Sequence, residues 1–126
     1  MRLLLDTVTF IWAAASPELL SRKAANAIEK SGAIRELSAI SLVELAVKQG
    51  KGKLDFRPED IATGLSDLRV RILPFTAEHG WALFGLPWQH HDPLDRQIIA
   101  QALRENIPVV TCDDQFKLYK GLRVIW

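Results

Sequence analysis

The sequence predicts an α/β protein, a three-layer α/β/α sandwich built on a mostly parallel central sheet. Arg2 to Leu5 is a short apolar run without polar alternation, a pattern that suits a strand buried on both faces, and further strand-like runs follow it along the chain. Capped helical segments separate those runs, and strands alternating with helices join by right-handed crossovers into a parallel sheet covered on both sides. With 126 residues, 48% of them hydrophobic and 25% charged, the chain reads as one globular domain, residues 1–126. A domain of that size buries enough surface to fold without a disulfide or metal staple.

The first strand is Arg2 to Leu5, ended by Asp6-Thr7. Phe10 to Ala15 predicts a helix stopped by Ser16-Pro17, and Ser21 caps a second that carries Ala24, Ala25 and Ile28 to Ser31-Gly32. Ile34 to Ile40 reads as the second strand. Ser41-Leu42-Val43-Glu44 has the S-x-x-E form of a capping box and opens a helix through Val47, which Gln49-Gly50-Lys51-Gly52 terminates. A looser helix follows Pro58, and Val70 to Phe75 gives the third strand. Thr76 caps a helix containing Trp81 and Phe84, closed by Leu86-Pro87. Asp92-Pro93-Leu94-Asp95 is a strong helix start, with a cap, a proline in the first turn and an acid at the positive end of the dipole. That helix runs to Asn106, after which Pro108 to Thr111 and Leu122 to Ile125 supply the last two strands.

The longest apolar run, Phe10 to Ala15, is far short of the roughly 18 residues of a membrane span, and Asp6 interrupts the apolar start before it can serve as a signal-peptide core. A lone cysteine, Cys112, excludes an internal disulfide. These features predict a cytoplasmic protein with no membrane association. The formal net charge of +1 names no partner.

In open parallel sheets ligands bind beyond the carboxyl ends of the strands. Asp6 ends the first strand, Asp113 and Asp114 follow the fourth, and Glu44 and Asp95 lie in first turns of helices. Carboxylates converging on one cleft repel one another unless a hard cation offsets their charge, which makes Mg²⁺ or Mn²⁺ the economical cofactor. Each acid also has a structural reading. Glu44 fits the third position of its capping box, Asp95 sits beside the cap Asp92, and Asp113 and Asp114 can begin a short helix toward Phe116. Asp6 resists that reading, because no base lies near it in sequence to offset its burial.

The segments Leu3-Leu4-Leu5-Asp6-Thr7, Ser41-x-x-Glu44-Leu45, His91-Asp92-Pro93-Leu94-Asp95-Arg96 running into Ile99-Ala100-Gln101-Ala102, and Thr111-x-Asp113-x-x-Phe116 together resemble the PIN-domain ribonucleases. More narrowly they resemble the VapC-type toxins of bacterial toxin–antitoxin pairs, over essentially the full chain. The resemblance implies a PIN-like fold and Mg²⁺- or Mn²⁺-dependent hydrolysis of RNA. It further implies homodimerisation and a small antitoxin partner. By it Asp6, Glu44, Asp95 and Asp113 match the catalytic and metal-binding quartet, Asp92 and Asp114 are accessory acids, and Thr111 can offer a hydroxyl to the metal-water network. Relatives often carry histidine two positions after the first aspartate, where this chain has Val8.

Setting aside the six cleft acids leaves nine acids against 16 bases, a surplus that suits a polyanionic substrate. Lys48, Lys51, Lys53 and Arg57 form a basic stretch able to follow a phosphate backbone, or equally a solvated helix end. Arg96 can contact substrate or pair with a cleft acid. Trp12, Trp81 and Trp88 read as packing in the core or at an interface, Trp126 as an exposed anchor, and His91 as the residue that positions the loop before Asp92. His90, His91 and Cys112 lack the paired spacing of a zinc site. Two other functions compete with the nuclease. An aspartyl-phosphate enzyme is opposed by Val8 and by the absence of lysine between Leu103 and Phe116, and a catalytically silent module that binds RNA or a partner has Val8 as its support.

Overall fold

The computed structural model describes residues 1–126. β1 (Arg2–Leu5) leads into α1 (Thr7–Ala15), a 3₁₀ turn (Pro17–Leu19) and α2 (Arg22–Glu29); β2 (Ile34–Ser38) is followed by α3 (Ala39–Gly50) and α4 (Pro58–Asp67). β3 (Val70–Leu73), α5 (Ala77–Leu83), α6 (Pro93–Glu105), β4 (Val109–Val110), a second 3₁₀ turn (Asp114–Leu118) and β5 (Val124–Ile125) complete the chain. The five strands form one all-parallel sheet in the order β3-β2-β1-β4-β5. The expected α/β/α sandwich is therefore the observed one.

β1 shows why its sequence lacks alternation. Leu4 packs with Ile98, Ile99, Ala102 and Val109 in the core beneath α5 and α6, whereas Leu3 and Leu5 join Phe10, Ala24 and Ile28 in a second core beneath α1, α2 and α4. Each face of the central strand needs apolar side chains, so Leu3, Leu4 and Leu5 are all apolar. α1 and α4 approach closely at Gly64, where an added Cβ would stand 3.0 Å from Ala14 Cβ and Phe10 Cζ.

Several boundaries differ from expectation for a local reason. α1 starts at Thr7 because Asp6 caps it, its carboxylate accepting the Thr9 N–H. β2 stops at Ser38, whose side chain accepts the Ile40 N–H at 3.0 Å, so α3 opens three residues before the predicted capping box. Ser41 is then interior to the helix, and Glu44 is freed from any capping duty. α5 ends at Leu83, leaving Phe84 85% exposed. Trp81 and Trp88 are likewise surface residues, each 73% exposed, while Trp126 packs against Trp12 with ring centroids 5.9 Å apart.

A charge network ties the strands together on one face. Glu36, 1% exposed, takes Arg2 at 2.6 Å and Arg71 at 3.1 Å, and Arg2 also reaches Glu105 at 3.1 Å. The other Glu105 oxygen lies 2.9 Å from His79 Nε2. Hydrogen bonds from His79 and from Arg2, the latter with its charge, hold the Glu105 carboxyl below the usual glutamate range.

Candidate active site

The chain order places β3 on one edge of the sheet and then returns to lay β4 on the other side of β1, so the topological switch point falls between β1 and β4. Asp6 and Asp113 follow those two strands. A cavity of about 190 Å³ opens there, lined by Asp6, Thr7, Val8, Glu44, Lys48 and Asp92, and closed by Asp95, Ile98, Cys112 and Asp113. A larger concavity, about 650 Å³ between α3 and α4, is lined chiefly by apolar side chains and contains no titratable group, so it offers no comparable chemistry.

Each acid is held by a different device. Asp6 is 7% exposed; one oxygen accepts the Thr9 N–H at 2.7 Å and the other accepts the Thr111 hydroxyl. Thr111 in turn accepts the Asp113 N–H at 3.0 Å, which links the two strand-end acids through one side chain. Glu44 projects from the second turn of α3, with Thr7 Oγ1 at 2.8 Å from one oxygen and Lys48 Nζ at 2.8 Å from the other. Ser41 supports that arrangement from 2.9 Å behind Thr7. Asp95 occupies the first turn of α6 and meets His90 Nε2 at 3.3 Å. Asp113 caps the second 3₁₀ turn, accepting the Gln115 N–H at 2.9 Å.

The electrostatics follow from burial and crowding. Loss of solvent pushes the Asp6 carboxyl above the usual range, against the pull of its Thr111 and Thr9 hydrogen bonds. Burial, then the charges of Asp92, Glu44, Asp113 and Asp6, push Asp95 up to about 7. Burial also raises the Cys112 thiol, with Asp6, Asp113 and Asp114 adding to the effect. The charged donors that converge on the cavity are carboxylate oxygens, a set that suits a hard divalent cation of the Mg²⁺ or Mn²⁺ kind. The acids are spaced around the cavity, and no three such groups form a closed ion cage as they stand.

The other sequence candidates separate. Lys48 and Asp92 line the cavity, although Asp92 spends one oxygen on the Leu94 and Asp95 amides. Asp114 points outward, its side chain 88% exposed and paired with Lys117, and Lys51 is exposed at the end of α3. Arg96 corrects the expectation of a substrate or cleft contact. It is 4% exposed and donates to the Pro87 and Leu86 carbonyls and to the Tyr119 hydroxyl, with its guanidinium 3.8 Å from the Trp88 ring centre. The loop histidine that reaches the site is His90; His91 stacks near Trp88 instead. Thr7, Thr9, Ser41, His90 and Tyr119 are supporting residues that sequence reasoning missed. Thr7 and Ser41 carried a signal, as members of the segments that contain Asp6 and Glu44.

Fold and cleft together define an open parallel α/β protein with an acidic site at its switch point. The chain belongs to the PIN domain family, whose model matches residues 3–122. In fold it is similar to VapBC2 from Rickettsia felis bound to a promoter DNA fragment, with a TM-score of 0.74, 22% identity and coverage of 98% of this chain and 97% of that one. DNA-bound VapBC from Salmonella typhimurium gives a TM-score of 0.71 at 20% identity, covering 98% and 96%. VapBC-1 from nontypeable Haemophilus influenzae gives 0.70 at 20% identity with the same coverage. No curated protein matches the sequence.

Proposed function

We propose that the chain is a metal-dependent endoribonuclease, the toxin of a toxin–antitoxin pair, which hydrolyses RNA phosphodiesters at Asp6, Glu44, Asp95 and Asp113. The observation that carries this reading is the convergence of those four carboxylates on one small cavity at the switch point. PIN family membership supports the nuclease. The likeness in fold to VapBC proteins supports a small cognate antitoxin, and the resemblance to VapC-type toxins supports a homodimer acting in the cytoplasm. No helix is long and apolar enough to cross a membrane.

Mg²⁺ or Mn²⁺ held by the quartet supplies a Lewis acid for the phosphoryl oxygen and lowers the pKa of a water nucleophile. The chain's own residues set the stage for that chemistry. Thr9 and Thr111 fix both oxygens of Asp6, while Thr7 and Lys48 fix those of Glu44. A cleft so rich in acid repels phosphate, so backbone affinity must come from cations at its border. Lys48 on the cavity wall and Lys51 farther along α3 are placed for that task.

Incubation of a mixed RNA pool with purified chain, in Mg²⁺ or Mn²⁺ against EDTA, tests the reading. Metal-dependent cutting is expected, and Asp6→Asn, Glu44→Gln and Asp95→Asn should each lower it by about 10²-fold or more while leaving the fold intact. Undiminished cutting by these variants would overturn the assignment. A silent binding module is the competing reading, favoured by Val8, whose apolar side chain lies on the cavity wall. RNA retained uncut under every metal condition would select it.

A further inference from the structure

A chain of hydrogen bonds, buried at Arg96 and Tyr119 and partly buried at His90, runs from Arg96 to the cleft. Arg96 Nη1 lies 3.0 Å from the Tyr119 hydroxyl, that hydroxyl lies 2.7 Å from His90 Nδ1, and His90 Nε2 lies 3.3 Å from Asp95 Oδ2. Arg96 is 4% exposed and Tyr119 2%. Tyr119 also meets the His90 ring edge-on, with centroids 5.5 Å apart.

One direction of this chain gives both the phenol proton and the imidazole proton an acceptor. A guanidinium only donates, so the Tyr119 oxygen accepts from Arg96. The phenol then has one proton to give, and His90 Nδ1 is the acceptor within reach. A neutral imidazole whose Nδ1 accepts carries its proton on Nε2, facing Asp95. Arg96 is anchored in this orientation, because it also donates to the Leu86 and Pro87 carbonyls and Trp88 covers its face. Successive bonds in such a chain polarise one another and strengthen the last donor.

We propose that His90 is a positioning residue for Asp95: Arg96 and Tyr119 lock its ring in the Nε2–H tautomer, and that proton holds Asp95 Oδ2 so that Oδ1 is presented to the cleft. The inference rests on the metal-nuclease reading of the site. Asp95 is otherwise the least secured of the quartet, since no backbone or hydroxyl donor reaches its carboxylate, in contrast to Asp6 and Glu44.

Two measurements test the proposal. Imidazole ¹⁵N NMR of the wild-type chain should show His90 with Nδ1 unprotonated and Nε2 protonated. Mn²⁺ titration calorimetry should show His90→Ala weakening Mn²⁺ by about tenfold or more, and Tyr119→Phe by less. His90→Gln, whose amide N–H can stand in for Nε2–H, should recover most of the affinity. Thermal melts check folding, and Tyr119→Phe, which removes a single hydroxyl, decides the matter should His90→Ala not fold. An Nδ1–H tautomer, or Mn²⁺ affinities equal in wild type and variants, overturns the proposal and leaves the metal site standing. A wild-type chain that takes up no Mn²⁺ overturns the metal reading itself, and this inference with it.

Discussion

Asp95 is the residue in which structure and chemistry meet most directly. Its pKa of about 7 lies above the ordinary aspartate value near 3.9, so the unfolded chain gives up this proton more readily than the folded one. The Asp95 contribution to the stability of the metal-free protein should therefore fall as pH rises from about 4 to 7, the window between those two values. Asp95→Asn removes the penalty. It should raise metal-free stability at pH 7 by about 1–2 kcal/mol, after discount for the partial exposure of the group, and leave stability at pH 4 nearly unchanged. Urea unfolding at the two pH values checks this, and a variant no more stable than wild type at pH 7 would contradict it. The acids were legible in the sequence because strand ends and helix starts are written locally. Arg96 and His90 were not, since what decides their roles is contact with Leu86, Pro87 and Tyr119, and no spacing along the chain encodes those contacts.

At the level of the element, α3 shows a local motif losing to a better local solution. Ser41-x-x-Glu44 has the form of a helix start, yet Ser38, three residues earlier, is wholly buried and takes the capping role. The residues after β2 conceal that boundary, because Ala39 and Ile40 suit a strand as well as a first turn. Ser38→Ala should cost about 1–2 kcal/mol through the lost cap, measured by thermal or urea unfolding. Ser41→Ala leaves the helix end alone and acts on the Thr7 and Glu44 pair, so it should change Mn²⁺ affinity more than stability. The α1–α4 contact gives a second test. Gly64→Ala pushes a methyl into Ala14 and Phe10 and should destabilise by about 1–3 kcal/mol, where an open helix site would gain from alanine. Neither the closeness of α1 and α4 nor the exposure of Trp81 and Trp88 can be read from composition, because both depend on how whole helices lie on the sheet.

For the molecule as a whole, the network through Arg2, Glu36, Arg71, Glu105 and His79 joins three strands to the end of α6. The Glu105 carboxyl titrates below its unfolded value, so its contribution is present above about pH 4.3 and fades as pH falls through the folded pKa. Glu105→Gln should flatten that acid limb of the stability profile and shift unfolding little with pH there, a comparison that circular dichroism between pH 3 and 6 can make. The sheet order was legible as a class, since alternating strands and helices imply a parallel sheet, but the position of the switch point was not. That position makes the cleft a readout of the whole fold. Asp6 and the Thr111 that holds it stand 105 positions apart in the chain, and they meet only where β4 is paired beside β1. An opening that frees β4 would therefore dismantle the acidic site without unfolding α3 or the strands on the other side of β1.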